Sequence, residues 1–115
     1  MRVRLVNLTP GESRATTVIS QLPAVLGRNA DANVRLDDCW VSRVHCEISE
    51  ISGTLLVRDL DSKNGTMVNG QYIKEAHLFP GDQLTVGLTS FQVQYTRRRS
   101  RFIDRQLVMP GEAGI

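Results

Sequence analysis

The chain has 115 residues, 41% hydrophobic and 23% charged, with a formal net charge of +2. That length suits one domain, and the composition is ordinary for a globular one. No apolar run reaches the length of a membrane span, and no charged start, apolar block and cleavage site marks a secretory leader, which argues for a cytoplasmic protein. A domain within a longer chain would read the same way.

The charge is uneven. Residues 97–115 carry five arginines against Asp104 and Glu112, a net +3, so residues 1–96 carry −1. The basic character therefore belongs to the tail. We divide the chain into a domain over 1–96 and a basic tail or linker over 97–115, solvated and flexible. Within the tail, Phe102, Ile103, Leu107 and Val108 could form a short amphipathic turn. Cys39 reads as a loop residue and Cys46 as a small core residue, both reduced in an intracellular protein. With His45 and His77 they give too few ligands, at no familiar spacing, for a metal site.

Taken in chain order, no window sustains a helical apolar period. Short β-rich runs recur instead: VRLVNL (3–8), ATTVISQL (15–22), AVLGR (24–28), NVRL (33–36), VHCEIS (44–49) and TLLVRDL (54–60). TMVN (66–69) and QYI (71–73) bracket Asn69-Gly70 as a hairpin, and QLTV (83–86) and SFQVQY (90–95) form another. Ser52-Gly53 and Pro80-Gly81 mark turns. Alternation places Val44, Cys46 and Ile48 on one face and His45, Glu47 and Ser49 on the other, so His45 is expected to point away from the core toward the loop layer. Many short strands joined by polar turns indicate an all-β antiparallel sandwich or barrel with loops gathered at its two ends. Function in such bodies usually sits on those loops.

Three stretches place polar and cationic residues where strands end. They are LGR (26–28), DDCWVSRVH (37–45) and DLDSKNGT (59–66). Arg28 offers a fork of donors, Ser42 a hydroxyl, Arg43 and Lys63 positive charge, and Asn64 a carboxamide that both donates and accepts. Together they suit a dianionic phosphoryl group and the main chain around it. Ser42 with His45 three residues on could also suggest a nucleophile and base, but no third member or oxyanion site is legible. Trp40 reads as a partly buried loop anchor.

Gly-Arg, then VSRVH, then DLDSKNGTMVNG, with FPGDQLTVG behind them, resembles the forkhead-associated (FHA) domain family over about residues 3–96. The resemblance implies an eleven-stranded antiparallel β-sandwich, FHA/SMAD-like, whose loops at one end bind phosphothreonine peptides. By the same resemblance Arg28, Ser42, Arg43, Lys63 and Asn64 would engage the phosphothreonine and its flanking main chain. Gly27, His45, Gly65 and Asn69 would shape the loops. The implied function is a non-catalytic, monomeric reader of phosphothreonine-containing proteins in Ser/Thr-kinase signalling, with no cofactor, metal or membrane partner. Three other readings remain at this level. One is a phosphate-independent interaction or scaffold domain. The second is a small hydrolase, against which the missing paired carboxylates and phosphate loop argue. The last is nucleic-acid binding through the arginine run at 97–101, which predicts affinity that collapses with salt and disappears on truncation at residue 96.

Overall fold

The computed structural model describes residues 1–9 and 15–97. Eleven strands run in order: β1 (Val3–Asn7), β2 (Thr16–Ile19), β3 (Ala24–Gly27), β4 (Val34–Arg35), β5 (Cys46–Ile51), β6 (Thr54–Asp59), β7 (Thr66–Val68), β8 (Gln71–Ile73), β9 (Glu75–Leu78), β10 (Gln83–Val86) and β11 (Thr89–Gln94). They form a six-stranded sheet, β2-β1-β11-β10-β7-β8, and a five-stranded sheet, β4-β3-β5-β6-β9. The described residues contain no helix. The tail from residue 98 onward, with its expected amphipathic turn, lies outside the described residues.

Period-two alternation builds the core. Val3 and Leu5 of β1, Ile48 of β5, Leu55 and Val57 of β6, Leu84 and Val86 of β10, and Phe91 and Val93 of β11 all bury one face of their strand. Burying a residue of this size contributes about 1.5–3 kcal/mol relative to leaving it exposed. Outward positions on the same strands stay polar, as at Arg4, Thr85, Gln92 and Gln94.

Three details differ from the sequence reading. β9 (EAHL) was not anticipated, because glutamate, alanine and histidine carry little strand preference. It forms by pairing antiparallel with β6, Leu55 opposite Leu78 and Arg58 opposite Glu75. β3 and β4 pair in parallel, Leu26 opposite Val34, while the other paired strands are antiparallel. The expected placement of His45 away from the core is corrected. β5 begins at Cys46, so His45 lies before the alternating segment, and it is fully buried while Val44 is exposed.

The turns separate into two kinds. At Ser52-Gly53 and Asn69-Gly70 both residues have positive φ, the geometry that closes two-residue hairpins between β5 and β6 and between β7 and β8. At Asn64-Gly65 only the glycine has positive φ. The first Asn-Gly therefore closes no hairpin. It ends the β6–β7 connection that crosses from one sheet to the other.

Register gathers the loops. Leu26 of β3 faces Cys46 of β5, and Cys46 faces Asp59 of β6. In the other sheet Thr66 of β7 faces Val86 of β10. The end of β3, the start of β5, the end of β6, the start of β7 and the end of β10 thus share one end of the sandwich.

Candidate functional site

Three connections meet at that end: 28–33, 36–45 and 60–65. The first two are laced by backbone. The Arg28 N–H donates to Ser42 O at 3.0 Å, the Asn29 N–H to Arg43 O at 3.1 Å, and the His45 N–H to Leu26 O at 2.9 Å. Gly27 is what lets them approach. A Cβ there would stand 2.1 Å from Arg43 O and 2.8 Å from Arg43 C, so no side chain fits.

His45 ties this pair to the third connection. The Ser42 N–H donates to His45 Nδ1 at 3.0 Å, and Nε2 lies 2.8 Å from Gly65 O. A backbone N–H can only donate and a carbonyl can only accept. The tautomer that satisfies both carries its proton on Nε2. Both ring nitrogens are thus committed to main chain, and the buried ring has no path to act as a base toward Ser42. Its bonds brace the backbone at Ser42 and Gly65.

Asp59, at the end of β6, organises the 60–65 connection from beneath. Its carboxylate accepts from the Ser62 hydroxyl at 2.6 Å, the Thr66 hydroxyl at 2.7 Å and the Ser62 N–H at 3.1 Å. The Ser62 hydroxyl in turn accepts from the Gly65 N–H at 2.9 Å. Burial pushes the Asp59 carboxyl up, but the donors from Ser62 and Thr66 outweigh it and hold the group below its ordinary value. Beside it, burial pushes the Cys46 thiol up to about 12.

On this frame stand the polar residues singled out from sequence. The Arg28 Nε–H donates to Val41 O at 3.0 Å, and the other guanidinium donors make no hydrogen bond or ion pair among the described residues. The Ser42 hydroxyl accepts from the Lys63 N–H at 2.9 Å, which leaves its own proton to donate. Asn64 Nδ2 donates to Trp40 O at 2.8 Å, leaving its carbonyl oxygen unengaged among the described residues. Arg28, Ser42, Lys63 and Asn64 are therefore linked, directly or through residues 40–43, within a single loop cluster. Arg43 is exposed and joins it through its carbonyl, the acceptor for Asn29. Lys63 is exposed, with its ammonium unpaired among the described residues. The cluster thus presents cationic and neutral donors beside one another, with acceptors largely turned inward to hold the loops. Such a surface can take up a multiply charged oxyanion.

Asn69 stands apart. Its Oδ1 accepts from the Gln83 N–H at 2.9 Å, and its Nδ2 donates to Asp82 Oδ1 at 3.1 Å. It fixes the β7–β8 hairpin to the start of β10, away from the loop cluster. Trp40 is half exposed, so its side chain anchors less than expected, while its main chain serves the cluster.

Sequence reasoning missed Asp38, which connects the cluster to a fourth segment. Its Oδ1 accepts from the Trp40 N–H at 2.8 Å. Its Oδ2 accepts from the Leu88 N–H and the Thr89 hydroxyl, both at 2.9 Å. Burial raises the Asp38 carboxyl, yet these donors outweigh it and hold the group below its ordinary value. The only sequence signal was the Asp37-Asp38 pair ahead of Ser42, which did not reveal a partner 50 residues away.

A β-sandwich that gathers a phosphate-suited loop cluster at one end defines the class of fold and site. The FHA domain family model matches residues 24–87, and the chain belongs to that family. Among curated proteins, the FHA domain-containing protein FhaA of Mycobacterium tuberculosis is 43% identical over 63 residues, covering 55% of this chain and 12% of the relative. The glycogen accumulation regulator GarA of Mycolicibacterium smegmatis is 37% identical over 70 residues, covering 61% and 44%. The oxoglutarate dehydrogenase inhibitor of Corynebacterium diphtheriae is 38% identical over 61 residues, covering 53% and 43%. The chain matches less than half the length of these relatives. Among solved structures, the FhaA FHA domain complexed with the intracellular domain of Rv3910 superposes with a TM-score of 0.72 at 35% identity, covering 80% of this chain and 99% of that one. The yeast Dun1 FHA domain, bound to a doubly phosphorylated peptide derived from Rad53, superposes with a TM-score of 0.71 at 28% identity, covering 86% and 77%. No described helix is long and apolar enough to cross a membrane, and the described residues hold no His/Cys/Asp/Glu group suited to a metal ion.

Proposed function

We propose that this chain is a non-catalytic module that binds phosphothreonine-containing segments of proteins in Ser/Thr-kinase signalling, acting in the cytoplasm as a monomer. Residues 1–96 constitute the module, and residues 97–115 are a basic extension of it. Arg28, Ser42, Arg43 and Lys63 take the phosphoryl group, and Asn64 holds the main chain beside the phosphothreonine. Gly27, His45 and Gly65 support the loops, whereas Asn69, expected to do the same, braces the β7–β8 hairpin away from them. Family membership and the phosphopeptide complex of Dun1 support the reading.

The observation that carries it is the convergence of Arg28, Ser42 and Asn64 through short hydrogen bonds at one end of the sandwich. Each contact to a phosphoryl oxygen from a charged group contributes about 1.5–3 kcal/mol. Removing two such donors with Arg28→Ala should weaken binding by about 100-fold or more. The melting temperature should hold nearly constant, because Arg28 is exposed. The experiment is calorimetric titration with matched phosphothreonine, phosphoserine and unmodified peptides from a degenerate library. Equal affinity for all three would defeat the proposal and favour a phosphate-independent interaction domain.

A further inference from the structure

The β10–β11 turn contributes no residue to the phosphate-suited cluster, yet it is built into it. Leu88 and Thr89 both donate to Asp38 Oδ2, while the other oxygen of the same carboxylate accepts from Trp40 N. The Asp38 carbonyl also accepts from the Val41 N–H at 2.9 Å. One residue therefore fixes the main chain of 40 and 41 on one side and of 88 on the other.

Packing enforces the same junction. Gly87 has φ +64, and a Cβ there would stand 2.7 Å from Val41 Cγ2, 3.0 Å from Asp38 Oδ2 and 3.2 Å from Trp40 C. The turn can press against residues 38–41 only because position 87 has no side chain. What these residues hold is specific. The carbonyl of Trp40 is the acceptor for Asn64 Nδ2, and the carbonyl of Val41 is the acceptor for Arg28 Nε. The Trp40 carbonyl that orients Asn64 and the Val41 carbonyl that orients Arg28 thus lie in a segment anchored by Asp38, whose carboxylate is clamped to a remote turn.

We infer that Asp38 is a positioning residue for phosphopeptide binding. With Thr89 and the Leu88 N–H it anchors the Trp40 and Val41 N–H groups, and through that segment, whose carbonyls accept from Asn64 and Arg28, it helps preset both side chains before a ligand arrives. The inference rests on the reading above, that Asn64 and Arg28 face the phosphopeptide. Pre-set side chains cost less ordering on binding, so loosening the clamp weakens affinity without removing a ligand contact.

Asp38→Asn keeps the size but leaves an amide donor facing N–H and O–H donors. Thr89→Val removes one of the bonds and keeps the shape. Affinity for a phosphothreonine peptide should fall about tenfold in Asp38→Asn and about threefold in Thr89→Val. In the unliganded variants, the Asn64 side-chain amide resonances should move toward those of a solvated carboxamide, while the amide spectrum of β1 and β2 keeps its positions. That second readout separates positioning from general loosening, and Thr89→Val supplies it should Asp38→Asn fail to fold. Unchanged Asn64 resonances in the folded variants would overturn the inference, as would unchanged affinity. Failure of the wild-type chain to prefer the phosphorylated peptide would instead defeat the functional reading. The Asn64 resonances would still decide the positioning claim in that case.

Discussion

Gly27→Ala introduces a single methyl group where the structure has no space for one. The new carbon would stand 2.1 Å from Arg43 O and 3.2 Å from Ser42 O, both backbone atoms that cannot swing aside. Either β3 or the 42–43 segment must retreat. Retreat stretches the two bonds that lace them, Arg28 N to Ser42 O and Asn29 N to Arg43 O. Overpacking of this kind costs about 1–3 kcal/mol, and a weakened hydrogen bond about 0.5–1.5 kcal/mol. Together the loss should be about 2–4 kcal/mol, which for a domain of this size corresponds to a fall in melting temperature of roughly 10–30 °C. Thermal unfolding followed by far-ultraviolet circular dichroism measures it, with urea titration as a check on the slope. Phosphopeptide affinity should fall as well, because Arg28 and Ser42 flank the displaced junction. A Gly27→Ala protein melting within about 2 °C of wild type would refute the claim that close backbone approach builds this site.

Two further outcomes follow from the buried polar groups. Asp59 has a folded-state value below its unfolded one, so its contribution to stability is fully present above the unfolded value and is lost as pH falls through the folded value. Stability should therefore drop in acid below about pH 4, and Asp59→Asn should be less stable at neutral pH but flatter across that range; an unaltered acid limb in the variant would contradict this. Cys39 is exposed, whereas Cys46 is buried with its thiol pushed up to about 12. A thiol reagent should modify Cys39 alone in the native protein and both cysteines in denaturant. Rapid native labelling of Cys46 would mean that β5 opens far more readily than its burial indicates.

Local pattern carried most of the strands. β-branched and apolar residues at alternating positions located β1, β6, β10 and β11, and turn dipeptides located the hairpin at 69–70 and the turn at 52–53, where the structure closes a second hairpin. The same logic failed at β9, where a strand exists because β6 offers it a ladder and not because Glu75–Leu78 prefers one. It failed again at His45, where alternation was extended beyond the true start of β5.

The order of the loop motifs pointed to the side chains proposed for a phosphoryl group, because donors, cations and turn glycines are chemical properties of single positions. What holds them was invisible at that level. Asp38 reaches Thr89 across 51 residues, His45 reaches Gly65 across 20, and Arg28 reaches Val41 across 13. The sequence by itself determined which polar and cationic side chains the loops carry. Only the tertiary structure decided which carbonyls and carboxylates hold them in place, because a hydrogen bond depends on distance and direction in space, and separation along the chain sets neither.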